Sequence, residues 1–174
     1  MKQIGRFLLI ILFLLPMIGV SQSAPEMTIK RLGIELITPT KPVANYVKAV
    51  TVGKLVYLSG HGPDKKDGGL VKGKVGSDLD LEQAKAAARL VGISLLSTLK
   101  AEIGDLNKVK RIVKVLGMVN AIPTFEQHPQ VINGCSDLMV EVFGEAGKHA
   151  RSAIGVGSLP MNIAVEIEMI VELK

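Results

Sequence analysis

The sequence predicts an α+β fold in which two helices lie on one face of a single sheet. Two observations support this. β-rich runs and runs with helical apolar spacing alternate in the order β-β-α-β-α-β-β, which is typical of a two-layer α+β domain. The part of the 174-residue chain that follows an N-terminal leader is about 150 residues long, the size of one compact domain.

The first 24 residues are predicted to be a secretory signal peptide. Lys2 and Arg6 precede an apolar run from Phe7 to Val20, and the small polar stretch from Ser21 to Ala24 follows it. The apolar run is shorter than the roughly 20 residues that a membrane span needs, so no stable span is expected. Cleavage is expected after Ser21 or Ser23, because Pro25 disfavours a cut directly after Ala24, and it would leave a product whose single domain spans 25–174 and which is exported, periplasmic or secreted. The alternative is an uncleaved anchor or a buried helix.

The first strands are predicted to form a hairpin. Val47 to Val52 and Leu55 to Ser59 are β-rich runs separated by Gly53-Lys54, a two-residue link typical of a tight turn. Ile34 to Ile37 predicts a short extra strand before them. Gly60 to Gly76 is rich in glycine, lysine and aspartate, which indicates a long surface loop.

The first long helix is predicted over Leu81 to Ile103, where apolar residues recur at spacings of three and four. Asp80 is its expected N-cap, with Gln83 three residues later as the capping-box partner. Gly104 is its expected end. The remaining elements are a strand over 109–119, a helix that begins at His128-Pro129 and ends at 144–147, and strands over 151–156 and 163–173.

The last strand has two unequal faces, since successive side chains of a strand point to opposite sides. One face, expected under the helices, is wholly apolar: Ile163, Val165, Ile167, Met169, Val171 and Leu173. The other face is mixed: Ala164, Glu166, Glu168, Ile170 and Glu172. A mixed face is neither fully solvated nor fully apolar, so it suits a subunit interface or a ligand site.

Charge and aromatic content argue against a nucleic-acid-binding protein. Removing Lys2 and Arg6 from the 21 basic residues leaves a surplus of only three over the 16 acidic ones. The predicted domain has no tryptophan, whereas single-stranded nucleic acid is usually gripped by stacked aromatic rings. Its aromatic residues are Tyr46, Tyr57, Phe125 and Phe143.

No metal or other cofactor is expected. Cys135 is the only cysteine, which excludes an internal disulfide and a four-cysteine metal site. His61, His128 and His149 are scattered without metal-ligand spacing, so each is interpreted as a loop or cap residue. Nucleophile-elbow, phosphate-loop and dinucleotide motifs are absent from the sequence.

A small set of polar residues carries the possible chemistry: Tyr46, Ser59, Asn133, Arg151 and Glu166. The planar guanidinium of Arg151 has the geometry to hold a carboxylate through two parallel hydrogen bonds. Glu166, within an apolar strand, can hold or activate a water molecule. From the residues alone, a structural Arg-Glu salt bridge or a merely solvated strand face is the favoured interpretation, with the functional one as its alternative.

The segment from residue 43 to 173 resembles the reactive intermediate deaminase family (RidA, also called YjgF-like and formerly endoribonuclease L-PSP). Five features carry the resemblance: Tyr46 with the strand ending at Ser59-Gly60, the alanine-rich helix over 81–103, Asn133, Arg151, and the Leu159-Pro160 turn with the strand Val165-Glu166-Ile167-Glu168. The resemblance implies a bacillus chorismate mutase-like fold and a homotrimer with sites between subunits.

The resemblance also implies a reaction and residue roles. Arg151 would bind the carboxylate of a 2-imino or 2-oxo acid, and Glu166 would position the attacking water. Tyr46, Ser59, Asn133 and the backbone at Ala153 would line the same cleft. The implied reaction is hydrolysis of a 2-aminoacrylate-type enamine, through its imine, to a 2-oxo acid and ammonia.

Two other functions remain open at this stage. The first is a trimeric module of the same fold that binds small carboxylates without turnover. The second is the ribonuclease activity in the family's former name, against which the weak positive charge, the few aromatic residues and the lack of a suitable histidine pair all argue.

Overall fold

The computed structural model of the chain describes residues 24–42 and 44–174. The predicted signal peptide therefore lies outside the described residues, apart from Ala24. Within these residues, eight α-helices and β-strands follow in the order α1 Pro25–Arg31, β1 Ala49–Val52, β2 Leu55–His61, α2 Leu81–Ile103, β3 Val109–Asn120, α3 His128–Phe143, β4 Ala150–Val156 and β5 Val165–Leu173. In this part of the chain, no helix is both long and apolar enough to cross a bilayer.

The five strands form one sheet in the order β1-β2-β5-β3-β4. The β1–β2, β2–β5 and β5–β3 pairs are antiparallel, and β3–β4 is parallel. A parallel neighbour needs a crossover connection, which α3 provides between β3 and β4. The predicted order of elements is confirmed, with β4 at the edge of the sheet.

Helices α2 and α3 pack side by side on one face of the sheet, as predicted. The Asp80 carboxylate accepts a hydrogen bond from the Gln83 backbone N–H (2.8 Å), and the Gln83 side chain accepts one from the Asp80 N–H (3.0 Å). This capping box and Gly104, at φ +80°, set the ends of α2 where the sequence placed them.

The apolar face of β5 lies under the helices. Val165, Ile167, Met169 and Val171 are buried against α2 and α3, whereas Glu168 on the other face is exposed. We call the face of the sheet that the helices leave uncovered the open face. It includes several half-exposed apolar side chains: Val50, Val52, Tyr57 and Ile154.

One local prediction was wrong, and one short helix was not predicted. Residues Ile34 to Ile37 add no strand; the segment lies across the helix layer instead, where the Ile37 N–H donates to Ser97 Oγ of α2 (3.0 Å). The short helix α1 was not predicted. It is docked by Glu26, whose carboxylate accepts hydrogen bonds from Lys100 Nζ (2.6 Å) and the Leu106 N–H (3.1 Å). Tertiary contacts decide the conformation of both segments.

Candidate functional site

Glu166 lies in a cleft of about 520 Å³ at the end of the open face where β5 begins. Six of its lining residues matter here: Tyr46, Lys48, Gly60, His61, Met161 and Glu166. We call this the Glu166 cleft. Tyr46 is 47% exposed, so its ring remains accessible at the wall of the cleft.

A β-bulge in β2 shapes the floor of the Glu166 cleft. The pairing of β2 with β5 shifts register between Leu58 and His61, so Ser59 and Gly60 are displaced from the regular ladder. The Ser59 hydroxyl donates to the backbone carbonyl of Lys48 (3.2 Å), and the residue does not line the cleft. It is Gly60 that faces Glu166, since a Cβ atom at position 60 would overlap the Glu166 carboxylate.

His61 fixes the bulge from beneath. Its ring is 1% exposed, and Nδ1 lies 2.6 Å from the carbonyl of Ser59. Because a carbonyl only accepts, Nδ1 carries the proton, and Nε2 accepts from the Thr98 hydroxyl of α2 (2.8 Å). Burial lowers the pKa of His61 to about 4, against the opposing effect of the Ser59 hydrogen bond. The prediction that His61 is a loop or cap residue was wrong, because this residue ends β2 and packs inward.

The Glu166 carboxylate has neither a hydrogen-bond donor nor a cation in contact within residues 24–42 and 44–174. Its pKa is raised, mainly by burial and further by the negative charge of Glu168. On the same cleft wall, burial lowers the pKa of Lys48, an effect that Asp64 opposes. A carboxylate with a raised pKa is suited to taking a proton from water near neutral pH.

Arg151 lies on edge strand β4, where α3 holds its guanidinium. Its Nη1 donates to Asn133 Oδ1 (2.8 Å) and to Ser136 Oγ (3.0 Å). These contacts use one nitrogen only. In the described part of the chain, Nε and Nη2 have no partner, so the side of the guanidinium that can bind a carboxylate with two parallel bonds stays free.

Arg151 and Glu166 point to opposite faces of the sheet within one chain. Glu166 of β5 pairs with Met118 of β3, and Met118 pairs with Ile154 of β4, so these three side chains lie on the open face. Arg151 is three residues from Ile154 along β4 and therefore points to the helix side. The structural salt bridge considered from the sequence is not formed among the described residues.

Ala153 and Gly155 follow Arg151 on the helix side of β4, opposite Gly117 and Val119 of β3. The space beside Gly155 is filled by the His128 ring of α3, with which a Cβ atom at 155 would overlap. The His128 ring also makes an edge contact with Phe125, with centroids 5.3 Å apart. The chain's own packing therefore explains why residue 155 is small.

The chain thus carries the sequence-predicted residues in two groups. Tyr46 and Glu166 line the Glu166 cleft, with Ser59 behind its floor. Arg151, Asn133 and Ala153 form the second group beside α3. Sequence reasoning missed Lys48, Ser136 and the inward role of His61, because no local pattern distinguishes them from other lysines, serines and histidines. Among the described residues, no three His, Cys, Asp or Glu side chains cluster closely enough to hold a metal ion.

Comparison with known proteins decides the family. A family model described as "YjgF/chorismate_mutase-like, putative endoribonuclease" matches residues 26–173. The chain belongs to the YjgF/RidA family. The family resemblance and the α+β fold expected from the sequence are both confirmed.

Three similar proteins illustrate the comparison. Protein TCP17 of Trypanosoma cruzi is 42% identical over 147 residues, which cover 84% of this chain and 92% of that protein. A 2-iminobutanoate/2-iminopropanoate deaminase of Dermatophagoides farinae is 30% identical over 137 residues, covering 77% and 90%. A crystal structure from Shewanella oneidensis MR-1, described as "a putative endoribonuclease", superposes with a TM-score of 0.83 at 31% identity, covering 86% and 99%.

Proposed function

We propose that this protein hydrolyses 2-imino acids, formed from 2-aminoacrylate-type enamines, to 2-oxo acids and ammonia. The observation that carries the proposal is the free Nε and Nη2 side of Arg151, which suits a carboxylate substrate. The similarity to a 2-iminobutanoate/2-iminopropanoate deaminase supports the same substrate class.

The proposed reaction needs positioning and one proton acceptor. The enamine takes up a proton at carbon and becomes the protonated imine, whose carboxylate Arg151 holds. Water adds to the C=N carbon while Glu166 accepts one of its protons, which gives a carbinolamine. Glu166 then returns this proton to the nitrogen, the C–N bond breaks to release ammonia, and the hydroxyl group loses its proton to solvent to leave the 2-oxo acid. Tyr46, Asn133 and the backbone at Ala153 are assigned to the walls of this site.

A site that uses both Arg151 and Glu166 requires more than one chain, because the two side chains lie on opposite faces of the sheet. We therefore propose a homotrimer in which the β4 edge of one subunit meets the Glu166 cleft of the next. The half-exposed apolar residues of the open face favour such an association, since burying them removes apolar area from water.

The activity is tested in a coupled assay. A pyridoxal-phosphate-dependent dehydratase generates 2-aminoacrylate, and pyruvate release is followed with and without the purified protein. We expect the protein to speed pyruvate release, and Arg151→Ala and Glu166→Gln to abolish the gain. Arg89→Ala is the matched control, since Arg89 pairs with Glu141 on the outer surface of the helices. If Arg151→Ala performs like the wild type, the proposal is wrong.

The assembly is tested by mixing inactive variants. Each variant keeps one half of the site, so unfolding and refolding Arg151→Ala with Glu166→Gln should restore about a quarter of wild-type activity. Neither variant should recover when refolded alone. A mixture as inactive as its components, although native mass spectrometry shows mixed trimers, would mean that Arg151 and Glu166 of the same chain act together in one site.

The second candidate function is carboxylate binding without turnover. The Arg151 geometry favours it equally, because Arg151 is prepared for a carboxylate whether or not Glu166 acts on a water. Calorimetry with pyruvate distinguishes the two: binding that depends on Arg151, together with no acceleration in the coupled assay, would establish the binding module. The ribonuclease alternative is tested by incubating RNA with the purified protein, and we expect the RNA to remain intact.

Export through the segment 1–24 stays a prediction. Expression of the full chain with a reporter, followed by fractionation and N-terminal sequencing of the product, tests it. A product that begins after Ser21 or Ser23 outside the cytoplasm is the expected result, and an intact Met1 in the cytoplasm would contradict it.

A further inference from the structure

A short series of hydrogen bonds lies behind Arg151 and passes through Ser136 and His149, neither of which has a role in the proposed reaction. Ser136 Oγ of α3 is 3.0 Å from Arg151 Nη1 and 3.1 Å from His149 Nε2. His149 precedes β4, and its Nδ1 is 2.6 Å from the carbonyl oxygen of Gly147. The hydrogen bonds therefore connect the backbone carbonyl of Gly147, through the His149 imidazole and the Ser136 hydroxyl, to the guanidinium of Arg151.

The chemistry of these groups fixes the direction of each hydrogen bond. A carbonyl oxygen only accepts, so His149 Nδ1 carries a proton and donates it to Gly147. In the neutral ring Nε2 is then an acceptor, and the Ser136 hydroxyl donates to it. The Ser136 oxygen thereby presents a lone pair to Arg151 Nη1, which only donates.

The neutral form of His149 is favoured by its surroundings. Burial lowers its pKa, the positive charge of Arg151 lowers it further, and the hydrogen bond to Gly147 acts in the opposite direction. Neutral His149 keeps Ser136 oriented as an acceptor toward the arginine.

The guanidinium is consequently held on one side only. Its Nη1 has two protons; one bonds to Ser136 Oγ and the other to Asn133 Oδ1. Two acceptors on one nitrogen fix both the position and the plane of a rigid, planar group. The Nε–H and Nη2–H donors, which lie on the adjacent side of the plane, then point away from α3 as a parallel pair.

We infer that Ser136 and His149 are positioning residues, which orient Arg151 so that its Nε and Nη2 donors receive the carboxylate of a 2-oxo or 2-imino acid. This inference rests on the carboxylate-binding part of the proposed function and is independent of whether turnover follows. Neither residue touches the ligand; each acts through the guanidinium.

The binding test uses pyruvate as the probe and calorimetry on the full chain. Ser136→Ala and His149→Phe should each weaken pyruvate binding about fivefold, because Arg151 loses a fixed acceptor. Ser136→Thr keeps the hydroxyl and should bind nearly as the wild type does. His149→Gln, whose side-chain oxygen can accept from Ser136, should recover part of the affinity. Methyl pyruvate, which has no carboxylate, should not distinguish the variants.

A second measurement reads the guanidinium directly and needs no ligand. Nitrogen-15 relaxation of the Arg151 Nε–H should show a rigid group in the wild type and Ser136→Thr and a more mobile one in Ser136→Ala. Ser94→Ala is the matched control, because Ser94 is a buried helix serine that bonds to Leu90 of its own helix. Its Arg151 signal should match that of the wild type.

The outcomes separate this inference from the proposed function. If Ser136→Ala binds pyruvate as tightly as the wild type with an equally rigid Arg151, the positioning role is wrong, whatever the deaminase assay shows. If Ser136→Thr and Ser136→Ala bind pyruvate equally weakly, the loss of affinity comes from altered packing and not from loss of the hydroxyl, and the inference also fails. If both measurements behave as expected but no deamination occurs, positioning stands and only turnover is lost. In an active protein, Ser136→Ala should raise KM while kcat stays within about twofold.

Discussion

Gly60 and Glu166 are in direct apposition across β2 and β5, with the glycine backbone against the carboxylate. A Cβ atom at position 60 would overlap Oε1 and approach Cδ of Glu166 to 2.8 Å. The end of a flexible side chain can move aside, so a methyl group here should leave the fold intact and turn the carboxylate away. The glycine at this point of the bulge therefore determines where Glu166 lies.

Gly60→Ala should lower kcat about tenfold while leaving pyruvate binding at Arg151 unchanged, since only the water-positioning carboxylate is displaced. Steady-state kinetics with calorimetry on the same preparation checks this. Gly157→Ala is the control, because the space beside Gly157 is open. An unchanged kcat in Gly60→Ala would show that the observed Glu166 orientation is not the productive one.

The regular elements were predictable because their signals are local. The capping box at Asp80 and Gln83 and the apolar alternation of β5 can be read from neighbouring residues, and the structure has both. The β2 bulge was not predictable, because register belongs to a pair of strands and not to either alone. The seven residues of α1 are too few to show a helical period.

The candidate site was only partly predictable for a related reason. Alternation shows that Glu166 lies on the face of β5 opposite the core, but it cannot relate that face to Arg151 without the strand order. Only the parallel β3–β4 pairing shows that Arg151 points toward α3. No sequence motif marked Ser136. It becomes relevant only through its place on α3, one turn after Asn133, where it too contacts Arg151.

The pH dependence of activity should follow the ionisation of Glu166. A general base must be unprotonated, so kcat/KM should fall as pH decreases through the raised pKa of Glu166. Glu168→Gln removes the negative charge that contributes to that elevation, so the acidic limb should move to lower pH. Glu172→Gln, on the same face of β5, should leave the limb in place. A limb that does not move in Glu168→Gln would assign it to another group.

Stability should also depend on pH, through His61. Its pKa is about 4 in the folded chain, against an ordinary value of 6.5, so the unfolded chain binds a proton more readily over this interval. The free energy of unfolding should therefore decrease as pH falls from 6.5 toward 4, by about 3 kcal/mol once the loss is complete.

Denaturant unfolding at a series of pH values measures this effect. Burial lowers the pKa of His149 in the same direction, so the His61 component is the difference between the wild type and His61→Gln, which has no titratable ring. The variant should lose less stability on acidification. Parallel curves for the two proteins would show that His61 is not the buried neutral group described above.

The thiol of Cys135 should be unreactive in the folded protein. Cys135 is fully buried on α3, and burial raises its pKa to about 12 although the charge of Arg151 opposes the shift. A chromogenic disulfide reagent should label one thiol per chain in denaturant and essentially none without it. Rapid labelling of the native protein would mean that α3 opens far more often than its packing implies.

The position of β4 at the sheet edge has a consequence for local opening. Strand β4 has one sheet neighbour, β3, in the described part of the chain, and the side chain of Arg151 ties it to α3. Outer strands open more readily than central ones, so the backbone amides of β4 should exchange with solvent faster than those of β3 and β5. A carboxylate held by Arg151 would stabilise the closed state of this edge. Binding of a carboxylate at the proposed site would then be measurable as slower amide exchange along β4, even for a ligand that the protein does not convert.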